Sequence, residues 1–207
     1  MSARAEEEKR LAAESAAELV EAGMIVGLGT GSTVAHLLPA LARRRLDIRC
    51  VATSHATEER GRQLGLRVEP FRSIERLDIA IDGADQVTPD RWLVKGGGGA
   101  HTREKIVAAA ADRFVVIVST DKLVESVTAP VPLELLEFGL EATLRELGPV
   151  QIRPGCPPSP DGGVIADWTG PVGDPAELAA RLSSVAGVVG HGLFPPEMVS
   201  DVVVGGT

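Results

Sequence analysis

Met24 to Arg44 reads MIVGLGTGSTVAHLLPALARR: a short apolar run, a glycine-rich turn and a helical pattern, in that order. Strand, tight turn and helix make one βα unit, and the same order repeats along the chain. Ile48 to Ala52 is a buried-strand run before a helix over 56–64, and Leu77 to Ile81 is another that opens onto Asp82-Gly-Ala-Asp85. Such alternation predicts a parallel, doubly wound α/β sheet. Upstream, Leu11, Ala12, Ala16, Leu19 and Val20 share one face of a helix expected over 5–22 and stopped by Gly23. Downstream, Trp92 to Val94 reads as a fourth strand of that sheet, followed by a glycine run, a helix over 102–111 and a strand over 114–118.

After Val127 the pattern changes to a strand over 131–136, a helix over 137–147, strands over 150–153 and 163–167, a helix over 174–184 and a strand over 188–194. That βαββαβ order is ferredoxin-like. The expected organisation is a Rossmann-like, mostly parallel domain over 1–128 and 198–207 with an inserted smaller ferredoxin-like α+β domain over 129–197. The apolar tail over 199–204 should return to the first sheet. Arg43-Arg44-Arg45 reads as a solvated helix end that suits the dipole.

The 207 residues hold 21 Lys+Arg against 29 Asp+Glu, a formal net charge of −8, which excludes a basic nucleic-acid coat. Aromatics at 3% with no Tyr leave no stacking platform for single strands. With 44% hydrophobic and 24% charged residues, the chain is ordinary globular protein with an aliphatic core. Cys50 and Cys156 lie far apart, outside any CxxC or His pairing, so neither a disulfide framework nor a zinc site is expected, and a reduced cytoplasm is the expected location. The first ten residues are acidic and Ala-rich rather than an apolar leader, and the best apolar run, Ile106 to Ala111, stops at Asp112, too short for a bilayer.

Four loops carry candidate chemistry. In Gly27-Leu-Gly-Thr-Gly-Ser-Thr33, backbone N–H groups at a helix start and the hydroxyls of Thr30, Ser32 and Thr33 suit an anion; a tight turn with Ser/Thr capping accounts for the loop equally well. Neither the dinucleotide fingerprint nor the nucleotide-phosphate loop fits its spacing. Asp82 and Asp85 lie at the carboxyl end of a buried strand, where open α/β sheets place ligands; an Asx turn with a helix cap, or a magnesium site in a phosphotransferase, are the alternatives. Lys95-Gly-Gly-Gly-Gly99 spends much backbone entropy unless something approaches the backbone closely, which makes Gly97 and Gly98 substrate-facing candidates.

Glu104 falls in the first turn of the next helix, where a dry pocket would raise its basicity and the dipole would keep it ionised, the balance a general base needs. A solvated first-turn acid is the bland alternative. In Ser119-Thr-Asp-Lys122, Lys122 can reach a ligand anion, whereas Lys9 on the first helix reads as a surface lysine. His36 and His191 read as packing residues, while His55 and His101 are placed to line a cleft without moving protons; no histidine has a metal partner at useful spacing.

Together, GLGTGST, SHATEER, DIAIDGADQV, LVKGGGGAHTREKIVAAAADRFVVIVSTDKLV and GVVGHGLF resemble the A type of ribose-5-phosphate isomerase. The resemblance implies reversible conversion of ribose 5-phosphate to ribulose 5-phosphate through an enediolate, with no metal and no organic cofactor, in a homodimer or homotetramer. It implies Glu104 as general base, Asp82 and Asp85 as the acidic loop, Lys95 as the lysine beside the reacting carbons, and phosphate contacts at Thr30, Gly31, Ser32, Thr33, Lys122 and Lys9. It weakens between Cys156 and Trp168, where Pro157-Pro-Ser-Pro-Asp-Gly-Gly163 replaces the family's Asn-rich hairpin. A sugar-phosphate sensing domain of a transcription regulator is the competing class; the acidic chain, the lack of a helix-turn-helix and the pairing of Glu104 with Lys95 weigh against it.

Overall fold

The computed structural model describes residues 3–72 and 74–206. Its elements begin with α1 (Ala3–Ala17), β1 (Ile25–Leu28), α2 (Val34–Arg44), β2 (Arg49–Ala52), α3 (His55–Gln63), β3 (Arg67–Val68), β4 (Leu77–Asp82), β5 (Gln86–Val87), β6 (Leu93–Val94), α4 (His101–Ala109) and β7 (Ala111–Val118). They continue with β8 (Val131–Leu135), α5 (Leu140–Leu147), β9 (Val150–Ile152), β10 (Val164–Trp168), α6 (Pro175–Ser184), β11 (Val188–His191), β12 (Leu193–Phe194) and β13 (Asp201–Val204). The chain divides into two compact units, one of Met1–Ala84, Arg103–Leu123 and Glu197–Thr207, the other of Asp85–Thr102 and Val124–Pro196.

The first unit is built on a six-stranded sheet in the order β13-β7-β4-β1-β2-β3, every neighbouring pair parallel. Val26, Leu28, Ile79, Ile81, Val115 and Ile117 form one core with the alanines of α1 and with Leu37 and Leu41 of α2. Strand residues alternate faces, so Gly27 and Ala80 look the other way. There α4 packs so closely that a β-carbon at Gly27 would lie 2.5 Å from Val107 Cγ1. Helices therefore cover both faces, as doubly wound α/β sheets require. Strands run outward from β1 to β3 on one side and from β4 through β7 to β13 on the other, so the order reverses between β1 and β4.

Two sequence expectations need correction here. Helix α1 ends at Ala17 rather than near Ala22. Arg44 meets that end, its guanidinium donating to Ala17 O and, at 2.5 Å, to Val20 O just beyond it. Arg44 is therefore a cap for another helix, not merely part of a solvated end.

The second unit holds a four-stranded antiparallel sheet, β11-β8-β10-β9, with α5 and α6 packed through Leu147, Leu178 and Leu182 onto Leu133, Leu135 and Trp168. This is the ferredoxin-like arrangement. The run over 188–194 is two strands rather than one: β11 pairs with β8, and β12 leaves to pair antiparallel with β6. Gly192 makes the change of sheet possible, donating to Pro132 O at 2.7 Å and accepting from Lys95 N at 2.9 Å, where a β-carbon would overlap Lys95 O. Strand β6 accordingly belongs to a three-stranded antiparallel sheet, β12-β6-β5, and not to the parallel sheet that the sequence suggested. That pairing groups Asp85–Thr102 with the second unit.

Candidate active site

In the first unit, three loops leave the carboxyl ends of adjacent parallel strands: 29–33 after β1, Gly83 onward after β4, and 119–122 after β7. The first two flank the point where strand order reverses, the ligand position of open α/β sheets. Asp82 closes β4 and is 3% exposed. Its Oδ1 accepts from Gly83 N at 2.7 Å and from Thr30 N at 3.0 Å, so the carboxylate fixes the glycine-rich loop and is itself aimed by it. Gly29 must be glycine, because a β-carbon there would overlap that carboxylate.

The loop hydroxyls divide. Thr30 Oγ1 lies 2.7 Å from Thr53 Oγ1, and Thr57 donates to Gly29 O at 2.9 Å, so two buried threonines brace the turn from beneath. Ser32 and Gly31 are exposed, and Thr33 at the start of α2 makes no side-chain cap hydrogen bond. Gly31 has φ +124, a conformation side chains rarely adopt. After β7, Lys122 sits at the end of a 3-10 turn, 3.4 Å from Asp121.

Glu104 lies in the first turn of α4 and is only 4% exposed, which removes the solvated-acid alternative. Next to it, burial pushes the Lys105 ammonium down to about 8. Lys9 is buried rather than a surface residue, and Glu6 Oε1 lies 2.8 Å from its Nζ. The neighbouring Glu8, which the sequence did not single out, accepts from Thr120 N at 2.8 Å and from Thr120 Oγ1 at 2.7 Å and so ties α1 to the Lys122 turn. The Thr120 and Arg4 hydrogen bonds hold its carboxyl down at about 2.

In the second unit, Lys95 follows β6 and is 2% exposed, its ammonium 5.5 Å from the centroid of the Phe194 ring. A buried ammonium against an aromatic face is a cation–π arrangement. Asp85 is exposed, and its Oδ2 accepts from Gly97 N at 2.8 Å. Gly97 and Gly98 are exposed in the turn that follows Lys95. His101 is fully buried beneath Gly96, where a β-carbon would lie 2.6 Å from its Nδ1. His55 is exposed, 3.8 Å from Glu58. Among the described residues no group of three or more His, Cys, Asp or Glu could hold a metal ion, and no helix is long and apolar enough to cross a membrane. The buried Cys50 thiol is pushed up to about 12 by burial, so it is chemically quiet.

The family model of ribose 5-phosphate isomerase A (phosphoriboisomerase A) matches residues 49–207. The chain belongs to the ribose 5-phosphate isomerase A family. A ribose-5-phosphate isomerase A of Caulobacter sp. is 44% identical over 204 residues, spanning 92% of this chain and 90% of that protein. The ribose 5 phosphate isomerase A of Neisseria gonorrhoeae superposes with a TM-score of 0.90 at 32% identity, covering 95% of this chain and 91% of the other. A D-ribose-5-phosphate isomerase solved in complex with phospho-erythronic acid superposes with a TM-score of 0.89 at 31% identity, covering 98% and 96%.

Proposed function

We infer that this enzyme interconverts D-ribose 5-phosphate and D-ribulose 5-phosphate. The observation that carries the mechanism is Glu104: a carboxyl group kept from water in the first turn of a helix, where the dipole favours negative charge. Glu104 takes the proton from C2 of the open-chain aldose. The C–H electron pair becomes the C1–C2 double bond, and the carbonyl pair moves onto O1. A proton passes from O2 to O1, and Glu104 returns its proton to C1, giving the ketose.

Lys95, a buried ammonium, steadies the oxygen charge of the enediolate, where low dielectric strengthens the attraction. Asp82 and Asp85 hold sugar hydroxyls, assist ring opening and move protons between O1 and O2. Thr30, Gly31, Ser32 and Thr33, with Lys122 and Lys9, anchor the 5-phosphate, and Gly97 and Gly98 line the sugar. Phospho-erythronic acid, the ligand of the similar solved enzyme, couples a phosphate to a carboxylate, the charge pattern of an enediolate phosphate. No metal or organic cofactor takes part in these steps, and the reading extends to a cytoplasmic homodimer or homotetramer on the strength of the family resemblance and the free thiols.

Conversion of ribose 5-phosphate in heavy water tests it. Ribulose 5-phosphate should appear with deuterium at C1, at an unchanged rate in chelator. A ligand bound without turnover would leave the sensing domain as the answer.

A further inference from the structure

Four consecutive glycines cannot hold a shape by themselves, yet Gly97 presents its N–H to Asp85 at 2.8 Å. One turn bond is internal, Gly99 N donating to Gly96 O at 3.0 Å, and the rest of the support comes from outside the loop. Arg153, directly after β9, is the group that reaches it: Nη1 donates to Gly96 O and to Gly97 O, each at 3.0 Å. The guanidinium is in turn fixed by Asp167 of β10, with Nε to Oδ2 at 2.9 Å and Nη2 to Oδ1 at 2.5 Å. The Arg153 backbone is also pinned, its N donating to Ile165 O at 3.0 Å. Both side chains are mostly buried, at 20% and 17% exposure, so this is a two-pronged charge-assisted pair shielded from solvent rather than a loose surface bridge.

We propose that Arg153, oriented by Asp167, is a positioning residue of the isomerase: it fixes the Gly96–Gly97 peptides and through them the Asp85 carboxylate. Only a planar guanidinium can grip a carboxylate on one edge and two carbonyls on another; a lysine ammonium is a single point. Arg153 sits just before the Cys156–Trp168 segment where the resemblance to the family weakens, and Asp167 lies within it. Both residues belong to the β9–β10 arm of the ferredoxin-like sheet, outside the Pro157–Gly163 turn.

The inference rests on the isomerase reading for one of its two readouts. Steady-state kinetics of R153K, R153A and D167N on ribose 5-phosphate should show kcat per folded enzyme reduced about 10- to 100-fold in the Arg153 variants, with KM within about threefold, as expected when groups are displaced by about an ångström. D167N should fall between them and the parent. Millimolar guanidinium ion should restore part of the R153A rate. The second readout is amide hydrogen exchange, which should speed up at Gly97 in R153K and R153A. If R153A does not fold, R153K decides: full kcat and unchanged Gly97 exchange overturn the proposal. A parent enzyme inactive on ribose 5-phosphate would reject the isomerase reading instead, and Gly97 exchange would still judge the clamp.

Discussion

Gly29 and Asp82 occupy space that one further carbon atom would deny them both: a methyl group on Gly29 would overlap the Asp82 carboxylate. The carboxylate cannot retreat without abandoning Gly83 N and Thr30 N, the two donors that aim it. Gly29→Ala should therefore cost stability of about 1–3 kcal/mol, the scale of overpacking a filled interior. It should also lower kcat/KM by more than stability explains, because Asp82 and the phosphate loop move together. Urea unfolding beside kinetics on folded protein checks this, and a fully active variant would separate Asp82 from the chemistry.

Glu104→Gln removes the proposed base while keeping the size of the side chain. Loss of a general base predicts a fall in kcat of about 100-fold or more, with little change in KM. Washing of deuterium from solvent into C1 should fall in parallel. An unchanged turnover number would take Glu104 out of the mechanism.

The proposed anchor would hold the 5-phosphate away from the reacting carbons, so its energy would serve binding and orientation. Ser32→Ala and Lys122→Ala should each raise KM for ribose 5-phosphate about tenfold while leaving kcat within a few-fold, since an interaction shared by ground and transition states leaves the chemical step alone. Lys122 is tied only loosely to Asp121, at 3.4 Å, which leaves its ammonium able to turn toward an anion. Free ribose turned over as well as its phosphate would contradict the anchor.

The parallel sheet was legible because apolar strand runs and glycine turns alternate along Met24–Ile81, and α2 was expected over the span it occupies, Val34–Arg44. The ferredoxin-like order was legible for the same reason. What local pattern could not carry were long-range pairings. Leu93–Val94 looks like any short buried strand, and only its partner Leu193–Phe194, a hundred residues away in a run that reads as one strand, places it in an antiparallel sheet. The places of Asp82 at the end of β4 and Glu104 in the first turn of α4 were readable from the local pattern, whereas Lys95, expected at the edge of the parallel sheet, follows a strand of the antiparallel one. Lys9, Glu8 and Arg153 were not readable, because a lone charge on a helix or strand end says nothing of burial until its partner is known.

Glu8 gives a pH signature that a purely apolar packing of α1 would not. Its carboxyl lies at about 2 in the folded chain, below the unfolded value of about 4.3, because Thr120 and Arg4 bind the charged form. A depressed carboxyl stabilises the fold above the unfolded value, and that contribution drains away as pH falls toward the folded one. The melting temperature of Glu8→Gln should lie below that of the parent at pH 7, and the gap should close progressively between about pH 5 and pH 2. Thr120 would then be released from α1, so the same variant should raise KM for ribose 5-phosphate at neutral pH through the adjoining Lys122 turn. A melting gap independent of pH would mean that Glu8 holds the turn by shape and not by charge.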